Sequence, residues 1–116
     1  MHIVVAEDNQ DEAGQLSRWL ASLGHQATFA EDGVAAIEAC LAMRPEAALI
    51  DLLIPGLDGF EVARRLSRVV PLLVAITSLR NQAADEVARS VGFRRFLRRP
   101  YTVDDVGAIL PPSGGK

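Results

Sequence analysis

Hydrophobic positions along the chain form two alternating patterns, and the first consists of short apolar runs. These runs lie at residues 3–6, 27–30, 47–50, 72–76 and 93–97. The runs at 3–6, 47–50 and 72–76 contain apolar residues only, which is typical of strands covered on both faces in a parallel sheet. The run at 93–97 includes Arg94 and Arg95, which favours an edge strand.

The second pattern consists of longer segments with apolar residues at steps of three and four, which predicts amphipathic helices. We expect one apolar face in each segment: Ala13, Leu16, Leu20 and Leu23; Val34, Ile37 and Leu41; Val62, Leu66 and Val69; Ala84, Val87 and Val91; and Val103, Val106 and Leu110. Gly24, Pro45, Pro71 and Gly92 follow the first four segments as helix-ending residues. Five strands alternating with five helices predict an α/β doubly wound fold, with helices on both faces of a parallel sheet.

Length and composition limit the classes of function. The 116 residues correspond to one domain, expected over 1–110, and the Pro- and Gly-rich residues 111–116 are expected to form a flexible tail. A net charge of -3 gives no general attraction to nucleic acid or anionic membranes. Cys40 is the only cysteine, which excludes an intramolecular disulfide. Without a signal-like or membrane-spanning stretch, we expect a cytoplasmic protein.

Polar residues follow the apolar runs at the positions where a doubly wound fold holds its site. Glu7 and Asp8 follow the first run, Asp51 the third, Thr77 the fourth, and Arg99 lies just after the fifth. Two carboxylates about 5 Å apart repel by about 3 kcal/mol at an effective dielectric of about 20, so three require a proton or a cation. Mg²⁺ is the natural choice because it prefers a few carboxylates and phosphate oxygens.

A carboxylate, a hydroxyl and a cation beside Mg²⁺ indicate phosphoryl transfer, which depends on positioning and charge neutralisation. Asp51 is the expected nucleophile and would form an acyl phosphate. Thr77 and Arg99 are expected to hydrogen-bond the phosphoryl oxygens.

These features together resemble the receiver domain of bacterial two-component response regulators. The matching segments run in the family's order at 4–9, 30–33, 51–61, 75–78 and 92–101. The resemblance implies a three-layer, flavodoxin-like fold with a five-stranded sheet in the order 2-1-3-4-5. It also implies that Asp51 is the phosphoacceptor, and that Asp8, Glu7, Asp51 and the backbone carbonyl of Leu53 bind Mg²⁺.

The same resemblance assigns the switch residues. Thr77 matches the switch hydroxyl, Phe96 matches the aromatic residue that turns inward with it, and Pro100 matches a proline that usually follows a cis peptide bond. Arg99 stands where the family has lysine, and its planar fork differs from a compact ammonium in geometry.

Two further departures from the family pattern concern the path of the hydrolytic water and the size of the output surface. Leu53 and Leu79 are apolar at the positions that flank the path of hydrolytic water in this family, which predicts a long-lived phosphoryl group. The fifth helix is short, with about eight residues before Pro111, which reduces the surface of helix 4, strand 5 and helix 5.

The leading hypothesis is a single-domain response regulator, a signalling domain that is not an enzyme apart from its own phosphorylation and dephosphorylation. It would receive its phosphoryl group from a sensor histidine kinase or a histidine phosphotransfer protein. It would then bind a downstream protein through the surface of helix 4, strand 5 and helix 5, with no direct contact to nucleic acid and no membrane insertion.

Two alternatives belong to other classes of function. One is a phosphorylation-independent pseudo-receiver that is locked by a salt bridge between Arg99 and Asp51. The other is a haloacid-dehalogenase-like phosphohydrolase, which is disfavoured because no Asp-x-Asp pattern follows the first strand.

Overall fold

The computed structural model describes residues 1–110, so the expected tail at 111–116 lies outside the described residues. Strands and helices alternate strictly along this range. In chain order they are β1 (His2–Ala6), α1 (Gln10–Ser22), β2 (Gln26–Ala30), α2 (Gly33–Met43), β3 (Ala47–Asp51), α3 (Gly59–Leu66), β4 (Leu72–Thr77), α4 (Gln82–Ser90), β5 (Phe93–Arg98) and α5 (Val103–Ile109).

The five strands form one parallel sheet in the order β2-β1-β3-β4-β5, which confirms the expected flavodoxin-like topology. Every residue of β3 is buried, as are nearly all residues of β1 and β4, because helices cover both faces of the sheet. In β5, Arg94 and Arg95 are exposed, which confirms the edge position of this strand.

Each face of the sheet has its own hydrophobic core. One core contains Val62 and Leu66 of α3 together with Phe93 of β5. The other contains Leu16 and Leu20 of α1. The three layers therefore consist of helices, the sheet, and helices again. No helix among residues 1–110 is both long enough and apolar enough to cross a membrane.

The expected buried faces of α2 and α4 are only partly correct, since Val91 is buried and Ile37 packs against the core but other members are exposed. Val34 and Leu41 are about half exposed, at 50% and 48%, and so is Val87 at 49%. Small residues are buried instead, namely Ala36 and Cys40 in α2 and Ala88 in α4. In α2, apolar residues surround most of the helix, so spacing alone does not select a face, and small side chains allow close approach to the sheet. Burial raises the pKa of the Cys40 thiol to about 11, consistent with a packing residue.

Helix starts fix the loops that carry the site. Asp58 caps α3 by accepting a hydrogen bond from the backbone N–H of Glu61 at 3.0 Å. Gly59 begins this helix so close to the end of β3 that a Cβ atom would lie 2.6 Å from Cα of Leu52 and 2.7 Å from the carbonyl oxygen of Asp51. A residue without a side chain is therefore required at Gly59 for the loop after Asp51 to fold back on the sheet.

Candidate phosphoryl-transfer site

The parallel register brings the ends of the central strands to one edge of the sheet. Asp51 is paired with Ile76 in β4, and the backbone N–H of Leu52 donates to the carbonyl of Ile76 at 3.0 Å. One strand further, the backbone N–H of Arg99 donates to the carbonyl of Thr77 at 2.9 Å. These backbone bonds fix the starting points of the side chains that form the site.

Three carboxylates meet at this edge, as the sequence predicts. Glu7, Asp8 and Asp51 each offer an oxygen within 4.8 Å of the others. Glu7 and Asp51 are buried, while Asp8 is exposed to solvent. The cluster therefore has an open side at Asp8.

Both oxygens of the Asp51 carboxylate have protein partners. Oδ1 accepts a hydrogen bond from the backbone N–H of Leu53 at 2.9 Å. Oδ2 accepts from Nη2 of Arg99 at 2.8 Å. A charge-assisted bond of this length neutralises part of the carboxylate charge in a region with little solvent.

Glu7 is the most buried carboxylate of the cluster. Its Oε2 accepts from the backbone N–H of Asn9 at 3.0 Å, and its Oε1 accepts from Nη2 of Arg99 at 2.9 Å. Burial is the main cause that raises the pKa of Glu7 to about 7, and the charges of Asp51 and Glu12 raise it further. This increase occurs despite the adjacent guanidinium, so the site disfavours the simultaneous ionisation of all its acids.

Arg99 connects the cluster to a fourth carboxylate on α1. Its Nε donates to Oε1 and Oε2 of Glu12 at 2.9 and 3.1 Å, and the hydroxyl of Tyr101 donates to Oε2 of the same carboxylate. Burial alone would lower the pKa of Arg99, but Glu12 and Asp51 raise it above its ordinary value. Arg99 is therefore a permanent cation held between two groups of acids.

Thr77 and Phe96, the expected switch residues, are not among the residues that line the cleft above the carboxylates. The buried hydroxyl of Thr77 accepts a hydrogen bond from the backbone N–H of Leu79 at 2.9 Å. The half-buried ring of Phe96 makes cation–π contacts with two guanidiniums, with Cζ of Arg89 at 5.2 Å and Cζ of Arg98 at 4.8 Å from the ring centroid.

The loop residue Leu53 has its side chain 75% exposed, and it lines the open cleft of about 690 Å³ above the carboxylates. Leu79 is half-buried. The backbone carbonyl of Leu53 remains an expected metal ligand.

Three residues of the site region were given no role from the sequence: Glu12, Ser78 and Tyr101. Ser78 lines the cleft, and its hydroxyl lies 3.5 Å from Nη1 of Arg99. Glu12 reads in the sequence as an ordinary acidic residue in the first turn of a helix, which the helix dipole favours. Only the structure shows that Glu12 also forms a salt bridge with Arg99.

The donor set fits a hard divalent cation. The cleft is lined by four carboxylates, those of Glu7, Asp8, Glu12 and Asp51, and by the guanidinium of Arg99. When all of these groups are ionised, an excess of three negative charges remains. Carboxylate oxygens with an open, solvent-facing side suit Mg²⁺, which keeps several of its waters.

Comparisons with known proteins agree with this geometry. The family model described as "Response regulator receiver domain" matches residues 3–110. Response regulator MprA of Mycobacterium avium (strain 104) is 31% identical over 112 residues, which is 95% of this chain and 49% of that protein. MprA of Mycobacterium leprae (strain TN) shows the same identity and coverage. The chain thus spans about half the length of these relatives.

Solved structures show the same fold. The receiver domain of a sensor histidine kinase from Pseudomonas aeruginosa, with a magnesium ion coordinated in its active-site cleft, aligns with a TM-score of 0.83 and 27% identity. This alignment covers 93% of this chain and 92% of that one. A response regulator from Clostridium difficile aligns with a TM-score of 0.88 at 16% identity, covering 93% and 90% of the two chains, and supports the fold alone. From the family match and its extent, this chain belongs to the response regulator receiver domain family.

Proposed function

We propose that this domain accepts a phosphoryl group on Asp51 in a Mg²⁺-dependent reaction and signals the change to a partner protein. The observation that carries the proposal is the buried carboxylate of Asp51 within 4.8 Å of the oxygens of Glu7 and Asp8, with Arg99 at 2.8 Å. The donor would be a phosphohistidine on a sensor histidine kinase or on a histidine phosphotransfer protein, and the setting would be the cytoplasm.

In the proposed step, a carboxylate oxygen of Asp51 attacks phosphorus and forms an acyl phosphate. The phosphorus–nitrogen bond of the donor breaks, and the imidazole leaves with the electron pair and takes up a proton from solvent. Later, water attacks phosphorus, inorganic phosphate leaves, and the carboxylate is restored.

The residues of the chain would share the work of positioning. Glu7, Asp8, Asp51 and the backbone carbonyl of Leu53 would hold Mg²⁺, which when bound neutralises charge on the phosphoryl oxygens. Arg99 already contacts Asp51, so its guanidinium could transfer a hydrogen bond to a phosphoryl oxygen there. The hydroxyl of Thr77 accepts from the N–H of Leu79, and its own O–H would donate to that oxygen.

The output surface is proposed to be the face of α4, β5 and α5. Phe96 of β5 makes cation–π contacts with Arg89 and Arg98, and Arg98 also donates to Asp85 of α4 at 2.6 Å. An inward turn of the Phe96 ring would break both cation–π contacts and change the charge pattern that a partner meets. The exposed arginines favour an acidic partner surface.

The pseudo-receiver alternative is not favoured. The salt bridge between Arg99 and Asp51 on which it depends is present, at 2.8 Å. However, the complete carboxylate cluster is also present, and a locked interaction domain has no need to hold three mutually repelling acids together.

The test is mass spectrometry of the intact protein after incubation with acetyl phosphate and Mg²⁺. We expect one hydroxylamine-sensitive phosphoryl adduct, which is absent without Mg²⁺ and absent in Asp51→Asn. Asp58→Asn provides a matched control, because Asp58 is a helix cap outside the carboxylate cluster, and it should be labelled like the wild type. The lack of an adduct on the wild-type protein, or an adduct that persists in Asp51→Asn, would refute the proposal.

A further inference from the structure

We infer that Glu12 is a positioning residue for Arg99 and that it fixes the direction in which the guanidinium faces Asp51. This inference rests on the proposed function for its effect on phosphorylation, but the placement of the side chain can be tested separately. Glu12 lies outside the carboxylate cluster of Glu7, Asp8 and Asp51. It would act through Arg99 and not through direct contact with the phosphoryl group.

The hydrogen bonds of the guanidinium are divided among its nitrogens. Nε donates to both oxygens of Glu12, at 2.9 and 3.1 Å. Nη2 donates to Glu7 at 2.9 Å and to Asp51 at 2.8 Å, and Nη1 lies 3.5 Å from the hydroxyl of Ser78. Because the guanidinium is planar and rigid, fixing Nε in one place determines where Nη2 points.

Glu12 is itself held in place from a third direction. The hydroxyl of Tyr101 donates to Oε2 of Glu12, and the Tyr101 ring packs edge-on against Trp19 of α1, with ring centroids 6.1 Å apart. The side chain of Glu12 is only 19% exposed, so the ion pair with Arg99 is largely shielded from water. A carboxylate that is shielded from water and hydrogen-bonded by two residues can hold the Arg99 side chain in one orientation. An exposed surface ion pair has little orienting effect.

The contact with Glu12 restricts the ways in which Arg99 can pair with the acids of the site. A long arginine side chain has several ways to meet a cluster of acids, including a bidentate pair that would occupy both oxygens of one carboxylate. With Nε committed to Glu12, only one nitrogen reaches Asp51, and Oδ1 of Asp51 stays with the backbone N–H of Leu53. The contact with Glu12 would therefore keep Arg99 near the reacting oxygen without enclosing it.

The first arm of the test follows the Arg99 side chain directly. In protein labelled with ¹⁵N-arginine, the Nε–H resonance of Arg99 is assigned by its loss in Arg99→Lys. We expect this resonance to be sharp and slow to exchange with water in the wild type and to broaden or exchange rapidly in Glu12→Ala. Glu12→Gln keeps an oxygen acceptor and should retain the protected signal. Asp11→Ala, which removes an exposed acid from the same helical turn, is the matched control and should not change it.

The second arm measures the initial rate of Asp51 labelling by acetyl phosphate in a double-mutant cycle. Glu12→Ala should slow labelling about tenfold when residue 99 is arginine and less than about twofold in the Arg99→Lys background. Glu12→Gln should recover most of the rate. A general structural defect would slow both backgrounds alike.

The outcomes separate the two proposals. Labelling that fails in the wild type refutes the proposed function, whereas the Nε–H signal still decides the placement of Arg99. The positioning role is overturned if Glu12→Ala leaves that signal protected, or if it leaves labelling unchanged or faster in the arginine background. Equal slowing in both backgrounds also overturns it.

Discussion

The Nη2 nitrogen of Arg99 lies 2.8 Å from Oδ2 of Asp51, so the expected phosphoacceptor is paired with a cation from its own chain. The same nitrogen is 2.9 Å from Oε1 of Glu7. One guanidinium therefore compensates two buried acids at once. Any incoming metal ion or phosphoryl group must share these oxygens with Arg99 or displace it.

This pairing leads to a prediction for Arg99→Lys. A lysine ammonium is a compact charge on a flexible stem and cannot bridge Glu12 and Asp51 as the fork of Arg99 does. We expect the variant to raise phosphorylation by acetyl phosphate or to strengthen switching at Thr77, because an ammonium, unlike an unanchored arginine fork, cannot form a bidentate pair with both oxygens of Asp51 and can follow the phosphoryl group. Labelling kinetics and NMR of the Thr77 methyl group measure the two effects, and unchanged values of both would contradict the prediction.

Slow hydrolysis of the acyl phosphate is the second prediction. Leu53 lines the cleft and Leu79 is half-buried, and neither side chain can orient a water by hydrogen bonding. We expect the phosphoryl group to be long-lived and Leu53→Asn to speed phosphate release several-fold. Leu41→Asn is a fair control because it makes the same change at a half-exposed position on α2. A phosphate-release time course with a half-life of seconds in the wild type would contradict this view.

The fold and the carboxylate cluster were predictable because their signals are local. The all-apolar runs of β1, β3 and β4 indicate strands covered on both faces, and parallel strands bring Glu7 and Asp51 to one edge. The buried face of α2 was not predictable from spacing. Ala36 and Cys40 are one helical turn apart, Val34 and Leu41 are two turns apart, and all four are apolar, so either pair could have faced the sheet. That choice depends on how closely the helix approaches the sheet.

The connection from Glu12 to Arg99 could not be predicted for a different reason. The two residues are 87 positions apart, and each has an adequate local explanation, Glu12 in a first helical turn and Arg99 beside an acidic site. Tyr101 likewise looks like an ordinary aromatic residue after Pro100. A network of polar side chains from separate elements has no periodicity, so only their coordinates show it.

The third prediction concerns pH and His25. Burial lowers the pKa of the His25 imidazole, and the nearby amino terminus lowers it further. The folded protein binds the imidazole proton less tightly than the unfolded chain does. The contribution of His25 to the free energy of unfolding is therefore constant above the unfolded pKa of about 6.5, and it decreases as the pH falls below that value. The free energy of unfolding in urea, measured from pH 7.5 to 5.5, should decline less in His25→Gln than in the wild type. The difference between the two proteins isolates His25 from other titrating groups, and identical slopes would count against the assignment.

The fourth prediction concerns stability and Gly59. A methyl group there would meet Cα of Leu52 at 2.6 Å and the carbonyl of Asp51 at 2.7 Å, and these backbone atoms cannot move away without shifting the loop. We expect Gly59→Ala to lower the free energy of unfolding by about 2 kcal/mol or more. Gly14→Ala is the matched control, because its nearest neighbour is Nη1 of Arg18 at 3.7 Å, and this substitution inside α1 should stabilise by about 0.5–1 kcal/mol. Urea denaturation measures both, and equal effects would contradict the steric argument.

The fifth prediction uses Trp19, the only tryptophan in the sequence, to follow metal binding. Its ring contacts Tyr101, whose hydroxyl is bonded to Glu12, and Glu12 in turn holds Arg99 beside the carboxylate cluster. A divalent cation held by Asp8 and Asp51 would compete with Arg99 for the Asp51 carboxylate, and a shift of Arg99 would change its hydrogen bonds with Glu12 and thereby the position of Tyr101. We therefore expect Mg²⁺ to change Trp19 fluorescence in a saturable way that EDTA reverses.

Asp8→Ala, which removes the exposed acid of the cluster, should weaken the apparent affinity at least about tenfold, since one carboxylate ligand is lost. Tyr101→Phe should reduce the amplitude of the signal while leaving the midpoint in place. An Asp8→Ala titration that matches the wild type would show that the ion binds elsewhere.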